Sequence, residues 1–285
     1  MKKIIIFSTV LILILANVTI AGRWEKISKT IEAEGVEKVI IDADLGAGEF
    51  NLKSADIDDI AIIDIEYDSR KIDYEIDYDV KRSTGYLAFE SESRRKNNID
   101  TDDNLWDIIV STKYNTEINF DIGACDAEFD FGGIALEYLE IDVGAAEGTI
   151  EFSKPNPIRL KEINIDAGAS SIEMISMGNA NFDELNFSGG VGSFDIDLRG
   201  GEYHGESRVN LEVGLGSAKI IVPKGLSVRI ETEGNNWLSS IDFHNEDLDE
   251  IDDDLYESPD FDDADDRLVI SIEVGLGSVD LYWKK

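Results

Sequence analysis

The chain of 285 residues carries 61 acidic against 26 basic residues, a formal charge of −35, so nucleic acid and anionic membranes are excluded as partners by repulsion. Its 42% hydrophobic content is strictly patterned, which excludes an acidic disordered chain. One cysteine, Cys125, excludes an internal disulfide.

In chain order, Met1-Lys2-Lys3 and the apolar run Ile4–Ala16 precede Thr19-Ile20-Ala21, the pattern of a secretory signal peptide over residues 1–21. Cleavage there would place the product outside the cytoplasm, in the periplasm, at the cell surface or secreted. Its charge would then be −37, because Lys2 and Lys3 are lost. Residues 22–104 read as an N-terminal β region and cap. Within it, Trp24 to Gly35 is an entry segment, either one amphipathic strand or a short helix. Val36 to Ser93 then supplies a first coil and long strands. Tyr74, Ile76, Tyr78 and Val80 alternate with Asp73, Glu75, Asp77 and Asp79, which belongs to a sheet with one wet face. Arg94 to Asn104 reads as a polar, solvated loop. Residues 105–285 read as a β-solenoid interrupted by an acidic excursion over 246–266, where 13 of 21 residues are acidic and self-repulsion opposes a coil. Regular coils are expected from Leu105 to Thr232, and Arg267–Lys285 is expected to close the array, with Leu281-Tyr282-Trp283 as its cap.

The solenoid expectation rests on a repeated corner. Seven alternations run into a glycine and restart out of phase, at Gly46, Gly123, Gly144, Gly168, Gly190, Gly214 and Gly275. The four middle spacings are 21, 24, 22 and 24 residues, a period of stacked repeats. The fold class expected is therefore all-β, a single-stranded, β-helix-like solenoid of roughly 21–24-residue coils with glycine corners. Leu211, Val213 and Leu215 share one parity, whereas Ala218, Ile220 and Val222 share the other. This reading places Leu215 on the core and turns Gly216-Ser217 outward. The equivalent outward column is Gly48, Cys125, Ala146, Ser170, Gly192, Gly216 and Gly277. Only the turn after Ala145 looks longer, since its next aliphatic residue is Ile150.

These corners, the export signal and the terminal Glu273-Val274-Gly275-Leu276-Gly277-Ser278-Val279 resemble the bacterial toast-rack, or putative-adhesin, β-solenoid family. That family overlaps the C-terminal domain of LiaF-like, cell-wall-active antibiotic response proteins. The similarity covers most of Val36–Lys285 and includes Tyr256-Glu257-Ser258-Pro259-Asp260-Phe261 before the last coil. It implies an extracytoplasmic, non-enzymatic role in surface interaction or envelope stress, and carries over no catalytic residue.

Tests for chemistry point the same way. Gly214-Leu215-Gly216 is followed by an alternating strand rather than the helix that a phosphate loop requires. His204 and His244 read as loop residues and lack ligand spacing for zinc. Stacked coils would place Asp44, Asp121, Asp142, Asp166, Glu212 and Glu273 in one column, with Ser188 replacing the acid once. A second polar column would hold Asp42, Asn119, Glu140, Asn164, Asn186, Asn210 and Ser271. Oxygen-rich columns suit calcium, which gives Asp121, Asp142 and Asp166 as candidate ligands; no other cofactor is expected. The functional expectation is an exported interaction or structural protein, adhesin-like or envelope-stress-associated, with an envelope protein or glycan as partner. The Glu246–Asp266 excursion is the first choice for that contact. A carbohydrate-active β-helix lyase or hydrolase and a calcium-dependent surface module are the competing readings.

Overall fold

The computed structural model describes residues 24–94, 104–233, 239–244 and 248–285. The proposed signal peptide and most of the Arg94–Asn104 loop lie outside them. The strands are β1 (Trp24–Ile31), β2 (Lys38–Ala55), β3 (Ala61–Asp68), β4 (Ile72–Lys81), β5 (Thr84–Ser93), β6 (Asn104–Ser111), β7 (Asn115–Asp130) and β8 (Ala135–Glu151). They continue as β9 (Leu160–Ile175), β10 (Phe182–Asp197), β11 (Glu206–Pro223), β12 (Ser227–Glu233), β13 (Ser239–His244), β14 (Asp249–Asp252), β15 (Leu255–Glu257) and β16 (Arg267–Lys284). The entry segment is thus a strand.

The strands β2, β7, β8, β9, β10, β11 and β16 stand side by side in that order, parallel and in register. Each passes through the glycine corner, which divides it into two arms, and a short connection closes the coil. Inward positions repeat from coil to coil. Ala43, Phe120, Ile141, Ile165, Phe187, Leu211 and Ile272 form one register column with no member more than 5% exposed. Connections add Phe131, Phe152, Met177, Leu198 and Tyr203 to the same core. One coil could not bury these side chains alone. Each of the larger ones gains roughly 1.5–3 kcal/mol of burial only because neighbours cover it.

The marker glycines stack in a single column. A Cβ on Gly123, Gly144, Gly168, Gly190, Gly214 or Gly275 would lie 2.4–2.7 Å from the carbonyl oxygen of the preceding marker glycine. The phase flip, however, falls earlier than the sequence reading places it. Val213 is fully buried and Leu215 is 49% exposed, so Gly214-Leu215 are the two consecutive outward residues. Gly216 and its equivalents face the inside of the bend, as buried Cys125 and Ser170 show. The arms converge there and leave no room: a Cβ on Gly216 would lie 1.9 Å from the Gly192 carbonyl oxygen. The turn after Ala145 is no longer than the others. Gly148 aligns with Ala127 and Ile172, so a glycine fills a core position there.

Both ends of the array depart from regular coils. Residues 84–91 pair with the first arm of β2 and residues 105–111 with its second arm, so β5 and β6 are one coil interrupted at the corner. At the other end β12 pairs with the first arm of β16 and β13 with its second, another coil split at the corner. Hence β6 is half a coil. Asn104, assigned to the polar loop from sequence, is fully buried. It donates to the Ala47 carbonyl at 3.0 Å and accepts from Trp106 Nε1 at 2.8 Å.

The final strand is not the cap. β16 lies between β11 and the β12/β13 coil, where Trp283, 5% exposed, stands in register with Val222. Its two arms are apolar enough to need neighbours on both sides. The caps are antiparallel strands instead: β4 on β5, β3 and β1 on β6, and the β14–β15 hairpin on β12. The predicted alternation of β4 is observed, with Asp73, Glu75, Asp77 and Asp79 outward. From Leu248 onward the acidic excursion is therefore a cap. Phe261 is buried beneath the guanidinium groups of Arg229 and Arg267, at 4.4 and 5.3 Å from its ring centre. Arg229 also pairs with Glu257 at 2.6 Å. All four residues of the edge strand β14 are exposed, and its three acids guard against end-to-end strand pairing.

Candidate functional site

Because strands alternate, the outward residues of the first arms form columns that run the length of the array. Registers place Asp44, Asp121, Asp142, Asp166, Ser188, Glu212 and Glu273 in one line, as anticipated. Glu90 extends it at one end and Glu233 at the other. These two were missed because the split coils carry no glycine corner to mark their phase.

The second column is a hydrogen-bonded ladder. Asn210 Nδ2 donates to Asn186 Oδ1 at 2.7 Å, and Asn186 Nδ2 donates to Asn164 Oδ1 at 2.9 Å. Asn164 donates to the Tyr138 hydroxyl at 2.9 Å, which donates to Glu140 at 3.0 Å. At the far end Asn119 donates to Asp42 at 2.7 Å. Asparagine suits such a column because its amide both donates and accepts.

The two columns line an open groove of about 480 Å³ across β8–β12 and β16. Its carboxylates come from Glu140, Asp166, Glu212, Glu231, Glu233 and Glu273, and among the described residues no Lys, Arg or His lines it. Asp121, Asp142 and Asp166 occupy adjacent register positions on β7, β8 and β9. The Asp142 carboxyl is held above the usual carboxylate range, first by partial burial and then by Asp166, Glu140 and Asp121. Among the described residues no three acidic, His or Cys side chains converge as ligands for one metal ion.

The corner adds an apolar element that the sequence reading assigned to the core. Val191, Leu215 and Leu276 are 52%, 49% and 43% exposed and stand in register on β10, β11 and β16. They form a ridge beside the groove, continued by the smaller Ala47, Ala124, Ala145 and Ala169 on the other coils.

Neither histidine enters this face. His204 lies in the loop before β11, as expected. His244 is in a strand rather than a loop; it stacks on Tyr282, and its Nε2 lies 2.8 Å from Asp280 Oδ1. Cys125 is buried, and burial pushes its thiol up to about 12.

The repeated corner, the in-register columns and the capped array agree with comparisons to known families. Residues 20–175 match the family model described as the N-terminal domain of toast_rack, which covers more than half of the chain. The chain belongs to the toast-rack family. Residues 171–281 of this toast-rack chain match a second description, the C-terminal domain of the cell wall-active antibiotics response protein LiaF. A search of curated proteins finds no match. Among solved structures, one described as a putative cell adhesion protein from Clostridium sporogenes is 20% identical. The alignment covers 92% of this chain and 100% of that one, with a TM-score of 0.49. A putative adhesin from Bacteroides fragilis is 11% identical over 90% of this chain and 96% of its own, with a TM-score of 0.37. In the toast-rack chain the β8–β9 part of the groove falls within the first family match, and its β10, β11, β12 and β16 residues fall within the second.

Proposed function

We propose that this toast-rack protein is exported and acts as a non-enzymatic interaction module of the cell envelope, presenting the outer face of its first arms to a partner. The observation that carries this reading is the unbroken register of two polar columns over seven full-length bent strands. Such a face is rigid and repetitive, and its backbone groups are already committed to the ladder. Catalysis needs a few convergent groups tuned by their surroundings, whereas this groove repeats the same oxygen chemistry in each coil. The match to a LiaF C-terminal domain supports the envelope-stress branch of the reading. No described helix is long and apolar enough to cross a membrane. The proposed calcium site remains confined to Asp121, Asp142 and Asp166 and is secondary to this role.

The acidic excursion is better used as a cap than as the contact first expected of it, because it covers the outer edge of β12. The test is fractionation of the native host with N-terminal sequencing, followed by binding of the purified protein to envelope fractions. The expected result is a mature chain starting at Gly22 that is retained by envelope material. An intact Met1 in the cytosol, or turnover of a glycan that is lost in Asp166→Asn, would overturn the reading.

A further inference from the structure

The ridge and the groove suit one kind of partner. We propose that Val191, Leu215 and Leu276, with the carboxylates beside them, receive a cationic amphipathic helix. This names the partner chemistry of the face described above and rests on reading the chain as an interaction module.

Three observations carry the proposal. First, the ridge is apolar and half-exposed in three consecutive coils, although burying aliphatic side chains is favourable and the core lies only two residues away. Second, the groove beside the ridge is acidic, and among the described residues no basic residue lines it: Glu212 and Glu273 precede Leu215 and Leu276 by three positions, and Glu231 and Glu233 follow on β12. On the other flank Lys219 is already paired with Asp195 at 2.8 Å, and serines 193, 217 and 278 follow the ridge. A partner must therefore combine an apolar stripe with positive charge. A second copy of this chain would bring the same carboxylates and be repelled.

Third, spacing selects the partner's secondary structure. Adjacent coils lie about 4.8 Å apart along the array, and one helical turn rises about 5.4 Å. Apolar residues at i, i+3 or i+4, and i+7 would thus meet three ridge residues with a mismatch of about 1 Å over the whole span. Same-face residues of a strand recur about every 6.8 Å and fall out of step at the second coil. Strand addition is closed as well, since β10, β11 and β16 each have ladder partners on both edges.

The test uses fluorescence anisotropy with the mature chain and a labelled synthetic helix of leucine and lysine, its leucines on one face. The controls are a scrambled peptide of identical composition and an oligolysine of equal charge. The expected result is that the amphipathic peptide binds at least about tenfold more tightly than either control, a difference of ~1.4 kcal/mol. The double variant Leu215→Ser/Leu276→Ser should lose about tenfold with an unchanged melting temperature. The variant Glu212→Gln/Glu273→Gln should weaken binding and flatten its salt dependence. Equal binding of the scrambled peptide, or full affinity in the ridge variant, overturns the proposal. Envelope retention that persists unchanged in the ridge variant overturns the helix alone. Absence of envelope retention by the unmodified protein overturns the underlying module reading as well.

Discussion

Replacing Gly216 by alanine should destabilise the solenoid far more than a surface glycine substitution does. Gly216 has φ +150°, a conformation that residues with a Cβ rarely adopt. A Cβ there would sit 1.9 Å from the Gly192 carbonyl oxygen, so the adjacent coil must yield by about 1.5 Å to reach ordinary contact. The backbone strain alone is worth about 1–3 kcal/mol, and the displaced carbonyl belongs to a ladder that cannot shift without its neighbours. The expected loss is at least about 3 kcal/mol. Gly225→Ala separates the two causes: its φ is +87° but nothing lies within 4 Å of the new Cβ. That variant should lose only about 1 kcal/mol. Gly214→Ala, with an ordinary φ and a contact of 2.7 Å to Gly190, should fall between them. Urea unfolding at 25 °C, followed by far-UV circular dichroism, measures all three. A Gly216→Ala protein within about 1 kcal/mol of the parent would refute the account of the crowded bend.

Asp142 is held above its ordinary carboxylate range by burial and by its acidic neighbours, so its folded value exceeds its unfolded one. Its stabilising contribution is therefore present below the unfolded value and is lost as pH rises through the folded one. Asp142→Asn should raise the melting temperature at pH 7 and have no such effect below pH ~3; calorimetry across that range decides it. Cys125 should resist a thiol reagent at pH 8 in the native state, by roughly 100-fold relative to the urea-unfolded chain, and comparable labelling rates would contradict its burial. Arg229→Ala should cost about 1–2 kcal/mol by removing the contact with Phe261 and the pair with Glu257. Hydrogen exchange should then increase over residues 249–257 first, and uniform exchange would argue against a separate cap.

The alternation around Gly46 to Gly275 and its period made the stacked register legible, because period two and a fixed phase slip leave few other arrangements. The carboxylate and asparagine columns followed from that register. The position of the flip did not, since Leu215 reads as a core residue by parity and only packing inside the bend decides between it and Gly216. The small residues at Cys125, Ala146 and Ser170 were the available signal: a column that stays small in seven coils marks a crowded interior rather than a free exterior. The ends were illegible for a different reason. The β5/β6 and β12/β13 coils are interrupted at the corner, so the marker that reveals the others is missing from them. Strand order also leaves no trace in a local pattern, and β16 was placed last in space because it is last in sequence.

That placement bears on how the array is completed. β16 is made after β12 to β15, yet it sits between those strands and β11. The stack therefore cannot grow from one end by adding each new coil to the previous one. The β12/β13 coil and its hairpin must either wait without their native neighbour or dock on β11 and later give way. β16 behaves like the keystone of an arch, since it bridges β11 and β12. A chain stopped before Arg267 would leave β11 and β12 with open, complementary edges, each a template for the missing strand of another molecule.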